Sequence, residues 1–258
     1  MATRGPRSAS ALAAFVLHRY DWSESSLILD IFTRDQGRLA VAAKGAKRPY
    51  SQLRAVLLPF QKISISLGRA PGGEGAADVQ NLRAAEWAGG QAMLTGAALF
   101  SGFYLNELLM KLVARHDPHP RLFDVYAETL GSLADRDDTR AEAALRSFEL
   151  MLLKEIGVRP DLSVATLTQQ PVSVCGRYTM LADSGVGEAR PGDTGLAGSA
   201  FIDLQAALEH GSLPALRQAC AGVLPELKGL LRAQLHYHLG SSVLRTRQVM
   251  VEAQNLEH

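Results

Sequence analysis

The sequence has little cysteine, few aromatic residues and no long apolar run. Its two cysteines, Cys175 and Cys220, cannot form a disulfide framework, so a reducing, cytoplasmic location is expected. The segment most similar to a membrane span, residues 92–109, contains the polar residues Asn106 and Glu107, so its pattern predicts an ordinary helix of a globular protein. The first residues lack the apolar core of a secretory signal. These absences favour a globular protein that is neither secreted nor embedded in a membrane.

The common catalytic patterns are also missing from the sequence. It has no phosphate-binding loop of the P-loop or dinucleotide type and no nucleophile elbow. His236 and His238 are two apart on a predicted helix, which turns them to different faces, and His116 and His119 have no third ligand nearby. We therefore expect no catalytic residue, no metal and no cofactor. An enzyme with a dispersed active site remains an alternative.

The charge is distributed unevenly along the chain. The 27 basic and 26 acidic residues give a net charge of +1. Residues 1–70 hold 11 basic and 4 acidic side chains, a local net of +7, whereas residues 71–143 hold 6 and 11, a local net of −5. The basic N-terminal block indicates either a polyanionic partner or a solvated basic face.

The residue pattern predicts strands in the N-terminal third of the chain and mainly helices in the rest, so the predicted fold class is α+β. The candidate strands are residues 13–17, 27–32, 38–43, 56–67 and 79–84. Five short strands separated by turns, with clean alternation over 62–67 and a flexible hairpin loop at 71–75, predict a five-stranded OB-type barrel. The barrel domain is expected over residues 1–82.

A mainly helical domain is expected over residues 83–255. Apolar residues at helical spacing predict a bundle over 88–158, which includes a helix over 143–156. An irregular segment of loops and weak β-structure follows over 160–203, with weak strands at 172–174 and 178–181 and a mobile loop over 185–199. The C-terminal helical part is expected over about residues 204–254, with helices at residues 203–209, 214–221, 225–239 and 243–254.

The richest candidate site is a basic turn after the third strand. It carries Lys44, Lys47 and Arg48 within five residues, flanked by Arg34, Arg38 and Arg54. Such cations neutralise phosphates, and Tyr50 and Tyr20 would supply stacking faces for bases. The alternative is that the cations are solvated and Tyr50 packs beneath the loop. The pattern favours sequence-tolerant nucleic-acid binding, and an RNA-binding OB-fold factor remains an alternative to a DNA-binding one.

Seven segments of the chain match a known family. They are residues 14–33, 37–46, 51–60, 84–87, 104–109, 145–153 and 244–248. With these motifs in order from about residue 12 to residue 250, the chain resembles the RecO family of bacterial recombination and repair mediators. The resemblance implies a non-enzymatic protein of the RecF repair pathway. Such a protein binds single- and double-stranded DNA, anneals complementary strands and helps load RecA onto DNA covered by single-strand-binding protein.

The resemblance also implies partners and further site residues. The partners are the C-terminal tail of the single-strand-binding protein, RecR and, indirectly, RecA, in the cytoplasm at the nucleoid. Arg146 matches a tail-contacting position, Lys228 and Arg232 are weaker candidates for the same groove, and Arg245 and Arg247 would touch DNA or the tail. The alternative for Arg146 is an ion pair with Glu142 or Glu149. Some family members carry four cysteines for zinc, but here residues 161–177 keep only Cys175, so no zinc is expected.

Overall fold

The structure is a computed structural model that describes residues 11–68, 79–89, 93–135, 137–240, 244–246 and 248–249. It divides into two compact units, one within residues 1–127 and one within residues 128–258. This division falls inside a helix, whereas the sequence suggested a boundary after residue 82. The sequence-based domain limits stay a prediction.

The first unit is built on a closed five-stranded barrel. Its strands are β1 (Leu12–Asp21), β2 (Leu27–Thr33), β3 (Gly37–Ala43), β4 (Lys62–Leu67) and β5 (Val79–Trp87). Their order around the barrel is β1-β2-β3-β5-β4, with every pairing antiparallel except that of β3 with β5. The predicted OB-type barrel and the α+β class are confirmed.

Alternating apolar residues build the barrel core. In β4, Ile63 and Ile65 are buried, whereas Ser64 and Ser66 lie on the outer face and are only partly buried. The same alternation in β1, β2 and β3 supplies the remaining core residues, among them Leu12, Ala14, Val16, Leu29, Ile31, Leu39 and Val41. Full burial of each large aliphatic side chain stabilises the fold by about 1.5–3 kcal/mol. This apolar packing supports the loops at the ends of the strands.

The predicted strand over 56–67 is wrong in its first half. Residues Leu53–Val56 form the short helix α1, and β4 begins only at Lys62. Pro59 has no backbone N–H to donate to a sheet, and Phe60 has a φ of 66°, which no regular strand accommodates. Leu57 nevertheless packs in the barrel core, which explains why the apolar pattern continued through the turn.

Helical segments cover one side of the barrel within the first unit. They are α2 (Gly96–Leu112) and the beginning of α3 (Pro120–Ala134). Asn106 of α2 donates through Nδ2 to the carbonyl oxygen of Leu17 at 2.9 Å, and the hydroxyl of Tyr126 donates to Asn106 Oδ1 at 2.5 Å. The ring of Tyr126 lies edge-on to Phe15 of β1 at 5.0 Å. Helix and barrel are thus joined by buried hydrogen bonds as well as apolar packing.

The second unit is mainly helical, as predicted. Besides the end of α3, its described helices include α4 (Asp138–Glu155), α5 (Gly198–His210), α6 (Leu213–Ala221) and α7 (Leu224–His238), and α4 packs against α6 and α7. α4 begins earlier than predicted because the side chain of Asp137 accepts a hydrogen bond from the Arg140 N–H and caps the helix. α5 ends at His210 and is capped by Gly211, whose φ of 70° lies in the left-handed region that favours glycine.

Short strands lie between α4 and α5. They are β6 (Val164–Ala165), β7 (Gln170–Pro171), β8 (Arg177–Leu181), β9 (Gly185–Glu188) and β10 (Leu196–Ala197). The predicted mobile loop over 185–199 is wrong, because it contains β9 and β10, which flank β8 in one sheet, and the start of α5. β9 buries one apolar side chain, Val186, and β10 buries one, Leu196. One buried residue in each strand is too few to produce an apolar pattern in the sequence.

Two further predictions fall largely beyond the described residues. The hairpin loop at 71–75 lies outside them. So does most of the predicted helix over 243–254, of which only residues 244–246 and 248–249 are described.

Candidate nucleic-acid interface

Two loops at one end of the barrel lie side by side. The β1–β2 loop spans residues 22–26, and the β3–α1 loop spans residues 44–52. They meet because β2 pairs with β3, with Leu27 opposite Ala43. The backbone N–H of Lys47 donates to the Ser25 carbonyl at 3.0 Å, and the N–H of Gly45 donates to Ser26 Oγ at 3.4 Å. Hydrogen bonds therefore hold the predicted basic turn against its neighbour.

The basic turn presents two exposed cations, Lys44 and Arg48. Both side chains line a pocket of about 320 Å³ between the loops. Gly45 makes the turn with a φ of 72°, and the Arg48 side chain lies over it, 3.6 Å from where a Cβ would stand. The geometry gives these cations free access to an anionic ligand.

Lys47 has a different environment from its two neighbours. Its ammonium lies 3.1 Å from the carboxylate of Asp21 and donates to the Ser23 carbonyl at 3.1 Å. Its charge is therefore shared with Asp21, and its side chain ties the two loops together.

Exposed aromatic rings surround the same two loops. Tyr50 is 99% exposed, so it does not pack beneath the loop, and Tyr20 is 48% exposed. Trp22, which was not among the predicted site residues, is 57% exposed and lines the pocket. The sequence carried a signal for it, since a tryptophan in a turn rich in serine and flanked by strands has no core to enter.

Arg38 is not available at this surface. The structure buries it to 8% exposure, with its Nε 3.2 Å from Asp30 Oδ1 and its Nη1 donating to the carbonyls of Leu109, Met110 and Val113. The sequence placed Arg38 among the phosphate contacts because it lies just before the strand that leads into the basic turn and could share a groove with it, but its guanidinium is covered by backbone carbonyls within the first unit. Arg38 therefore falls outside the interface that the loops define.

Arg34 and Arg54 lie at the edges of the first unit. Arg34 makes a bidentate contact with Asp124: its Nε donates to Oδ1 at 3.0 Å and its Nη2 donates to Oδ2 at 2.8 Å. This hydrogen bonding raises the pKa of the Arg34 guanidinium. Its charge is thus largely matched by a carboxylate. Arg54 is exposed on α1, which follows the basic turn directly.

The residues expected to bind a protein tail lie in the second unit. Arg146 on α4 is 8% exposed, and its Nη1 is 2.9 Å from Glu149 Oε2, so of the two ion pairs considered the one with Glu149 is present. Lys228 on α7 donates to Glu142 at 2.9 Å. Arg232, one turn further along α7, is exposed. A role for this cluster in tail binding stays a prediction.

The remaining expected contacts are divided between described and undescribed residues. Arg245 is described and exposed, whereas Arg247 lies outside the described residues. Among the described residues, no group of three or more His, Cys, Asp or Glu side chains is placed to hold a metal ion. Cys175 is exposed and Cys220 is buried, and burial raises the pKa of the Cys220 thiol to about 12. Within the same described part of the chain, no helix is long and apolar enough to cross a membrane.

Comparisons with known proteins place the chain in a family. The family model "Recombination protein O N terminal" matches residues 10–87, and "Recombination protein O C terminal" matches residues 93–248. The chain is 50% identical over 245 residues to DNA repair protein RecO of Polaromonas naphthalenivorans, covering 94% of this chain and 96% of that protein. It is 48% identical over 259 residues to DNA repair protein RecO of Paracidovorax citrulli, covering 97% and 99% of the two chains. Both halves of the sequence thus match in order, and the chain belongs to the RecO family.

Proposed function

We propose that this protein is a non-enzymatic DNA-binding mediator of recombinational repair, acting in the RecF pathway. The observation that carries the proposal is the pair of loops at one end of the barrel, where Lys44 and Arg48 stand exposed among the rings of Trp22 and Tyr50. Cations beside exposed aromatic rings are what non-specific binding of a nucleic-acid strand requires. The relatives carry the name DNA repair protein, which supports a repair role for this chain.

The proposed action on DNA is annealing of complementary strands. Lys44 and Arg48 neutralise phosphates of one strand and release its counterions. The lower charge reduces repulsion from an approaching second strand, and base pairing then drives annealing without any covalent step. Duplex DNA binds to the same cations through its phosphates.

The proposed protein contacts lie on α4 and α7. Arg146 uses one Nη for Glu149, and a guanidinium has five N–H donors, so donors remain for a second carboxylate. The acidic, apolar tail of the single-strand-binding protein supplies such a group at its C-terminus, and Lys228 and Arg232 extend the positive charge along α7. Through this tail and through RecR the protein would reach covered DNA in the cytoplasm and help load RecA.

Binding to a fluorescent single-stranded oligonucleotide, followed by anisotropy across a salt series, tests the proposal. We expect salt-sensitive binding and faster annealing when the complementary strand is added. Lack of binding at low salt would contradict the DNA-binding claim. Competition with RNA of the same sequence tests the alternative of an RNA-binding factor, which strong preference for RNA would support, since contacts to the 2′-hydroxyl distinguish the two.

A further inference from the structure

The pocket between the two loops has a composition that phosphate binding alone does not require. Lys44 and Arg48 line it, together with serine residues of the β1–β2 loop and the indole of Trp22. Its volume of about 320 Å³ lies at the lower end of the range of small-ligand pockets, about 300–1,000 Å³. Hydroxyls, cations and an aromatic face in one small pocket match the parts of a single nucleotide.

Trp22 is held at this pocket by its backbone, whereas its side chain is left open. The N–H groups of Trp22 and Ser23 both donate to the Ser26 carbonyl at 3.3 Å, which fixes the turn. The indole remains 57% exposed. Exposing so large an apolar ring has a cost in water, and an interaction face presented on a fixed turn is a common reason for it.

We propose that this pocket takes one unpaired nucleotide, with its base stacked on Trp22 and its phosphate between Lys44 and Arg48. The serine hydroxyls then face the sugar or the edge of the base. The proposal rests on the proposed DNA binding and adds a preference for unpaired bases at this site. A base inside a duplex is already stacked on its neighbours, so it reaches Trp22 only if the duplex opens.

The chain offers a direct optical test because it contains only two tryptophans, Trp22 and Trp87. Trp87 ends β5 and donates through its indole nitrogen to Gln61 Oε1 at 3.3 Å, away from the two loops. In the variant W87F all tryptophan emission comes from Trp22, and in the matched control W22F it comes from Trp87. Each variant is titrated at low salt with an oligothymidylate and with an abasic strand of the same phosphate number, and binding is followed independently by anisotropy.

We expect oligothymidylate to quench the emission of W87F and to leave W22F unchanged, while the abasic strand binds W87F without quenching. We also expect W22A to lose about tenfold in affinity for oligothymidylate and little for the abasic strand, within the range for one stacked base. W22F, which keeps an aromatic face, should retain most of that affinity.

Three results would overturn this inference. Binding of both strands without any change in W87F emission would contradict stacking of a base on Trp22, but it would leave the proposed DNA binding intact. Equal quenching by the abasic strand would assign the signal to phosphate contacts or loop movement. If neither the oligothymidylate nor the abasic strand bound at low salt, both the proposed nucleotide pocket and the proposed function would be contradicted.

Discussion

The ammonium of Lys47 lies 3.1 Å from the carboxylate of Asp21, so one of the cations of the basic turn ties that turn to the end of β1. The same ammonium donates to the Ser23 carbonyl. Of the three clustered cations, Lys47 therefore organises the site, whereas Lys44 and Arg48 are exposed to solvent.

This pair predicts opposite effects for two substitutions. Removing the negative charge in D21N should strengthen DNA binding at low salt, by less than about tenfold, since one charge near 4 Å in water contributes roughly 1 kcal/mol. K47M should weaken binding, because it removes a cation and loosens the two loops. Anisotropy with single-stranded DNA measures both variants. Weaker binding by D21N would show that the ion pair matters more for holding the loops than for masking charge.

Arg38 should contribute to stability and not to DNA contact. Among the described residues, R38M leaves Asp30, which is 3% exposed, with the more distant Arg115 at 3.4 Å as its remaining cationic partner. Breaking a buried ion pair costs about 3–5 kcal/mol, and we expect a loss of this order in the unfolding free energy of the first unit. Both tryptophans lie in that unit, so their fluorescence in a urea titration follows it. If R38M were as stable as the parent chain but bound DNA poorly, the assignment of Arg38 to a buried ion pair would be contradicted.

Substitution of Arg146 by lysine separates its two proposed roles. R146K keeps a positive charge beside the fully buried Glu149 but loses the planar guanidinium, which can bind a terminal carboxylate through two hydrogen bonds. We expect about tenfold weaker binding of an acidic, apolar tail peptide, because a hydrogen bond to a charged group contributes roughly 1.5–3 kcal/mol. Thermal stability and DNA binding should change little. Unchanged peptide affinity in R146K, and in a folded R146A, would leave Arg146 with a structural role only.

The two cysteines should differ sharply in reactivity. Burial raises the pKa of the Cys220 thiol to about 12, so it stays protonated at pH 8, while Cys175 is exposed. The raised value also means that stability contributed by the neutral Cys220 thiol is present below its unfolded pKa near 9 and is lost as pH rises toward 12. A thiol-specific reagent at pH 8 should modify one cysteine quickly, and C175S should remove that phase. A fast phase that persists in C175S would show that Cys220 is accessible.

Residue patterns predicted the barrel better than the details of the site. The alternation of Ile63 and Ile65 with serines identified β4, because one face of that strand is buried and the other is not. The clustered cations identified the basic turn. The burial of Arg38 was not predictable, because it depends on carbonyls more than 70 positions further along the chain. The exposure of Trp22 was predictable from its serine-rich turn, but its place beside Lys44 and Arg48 was not, because it depends on the pairing of β2 with β3.

The salt dependence of single-strand binding by the double variant K44E/R48E tests the central claim most directly. The matched control is R140E/R177E, which makes the same charge change at exposed positions of the second unit. The logarithm of the affinity falls linearly with the logarithm of the salt concentration, and each phosphate contact that is lost should reduce the magnitude of this slope by about 0.7. We predict that the slope is smaller in magnitude by about 1.4 in K44E/R48E, with strongly weakened binding at low salt, and that the slope of the control is unchanged. A folded K44E/R48E variant with the parent slope and affinity would contradict a DNA interface at these two loops.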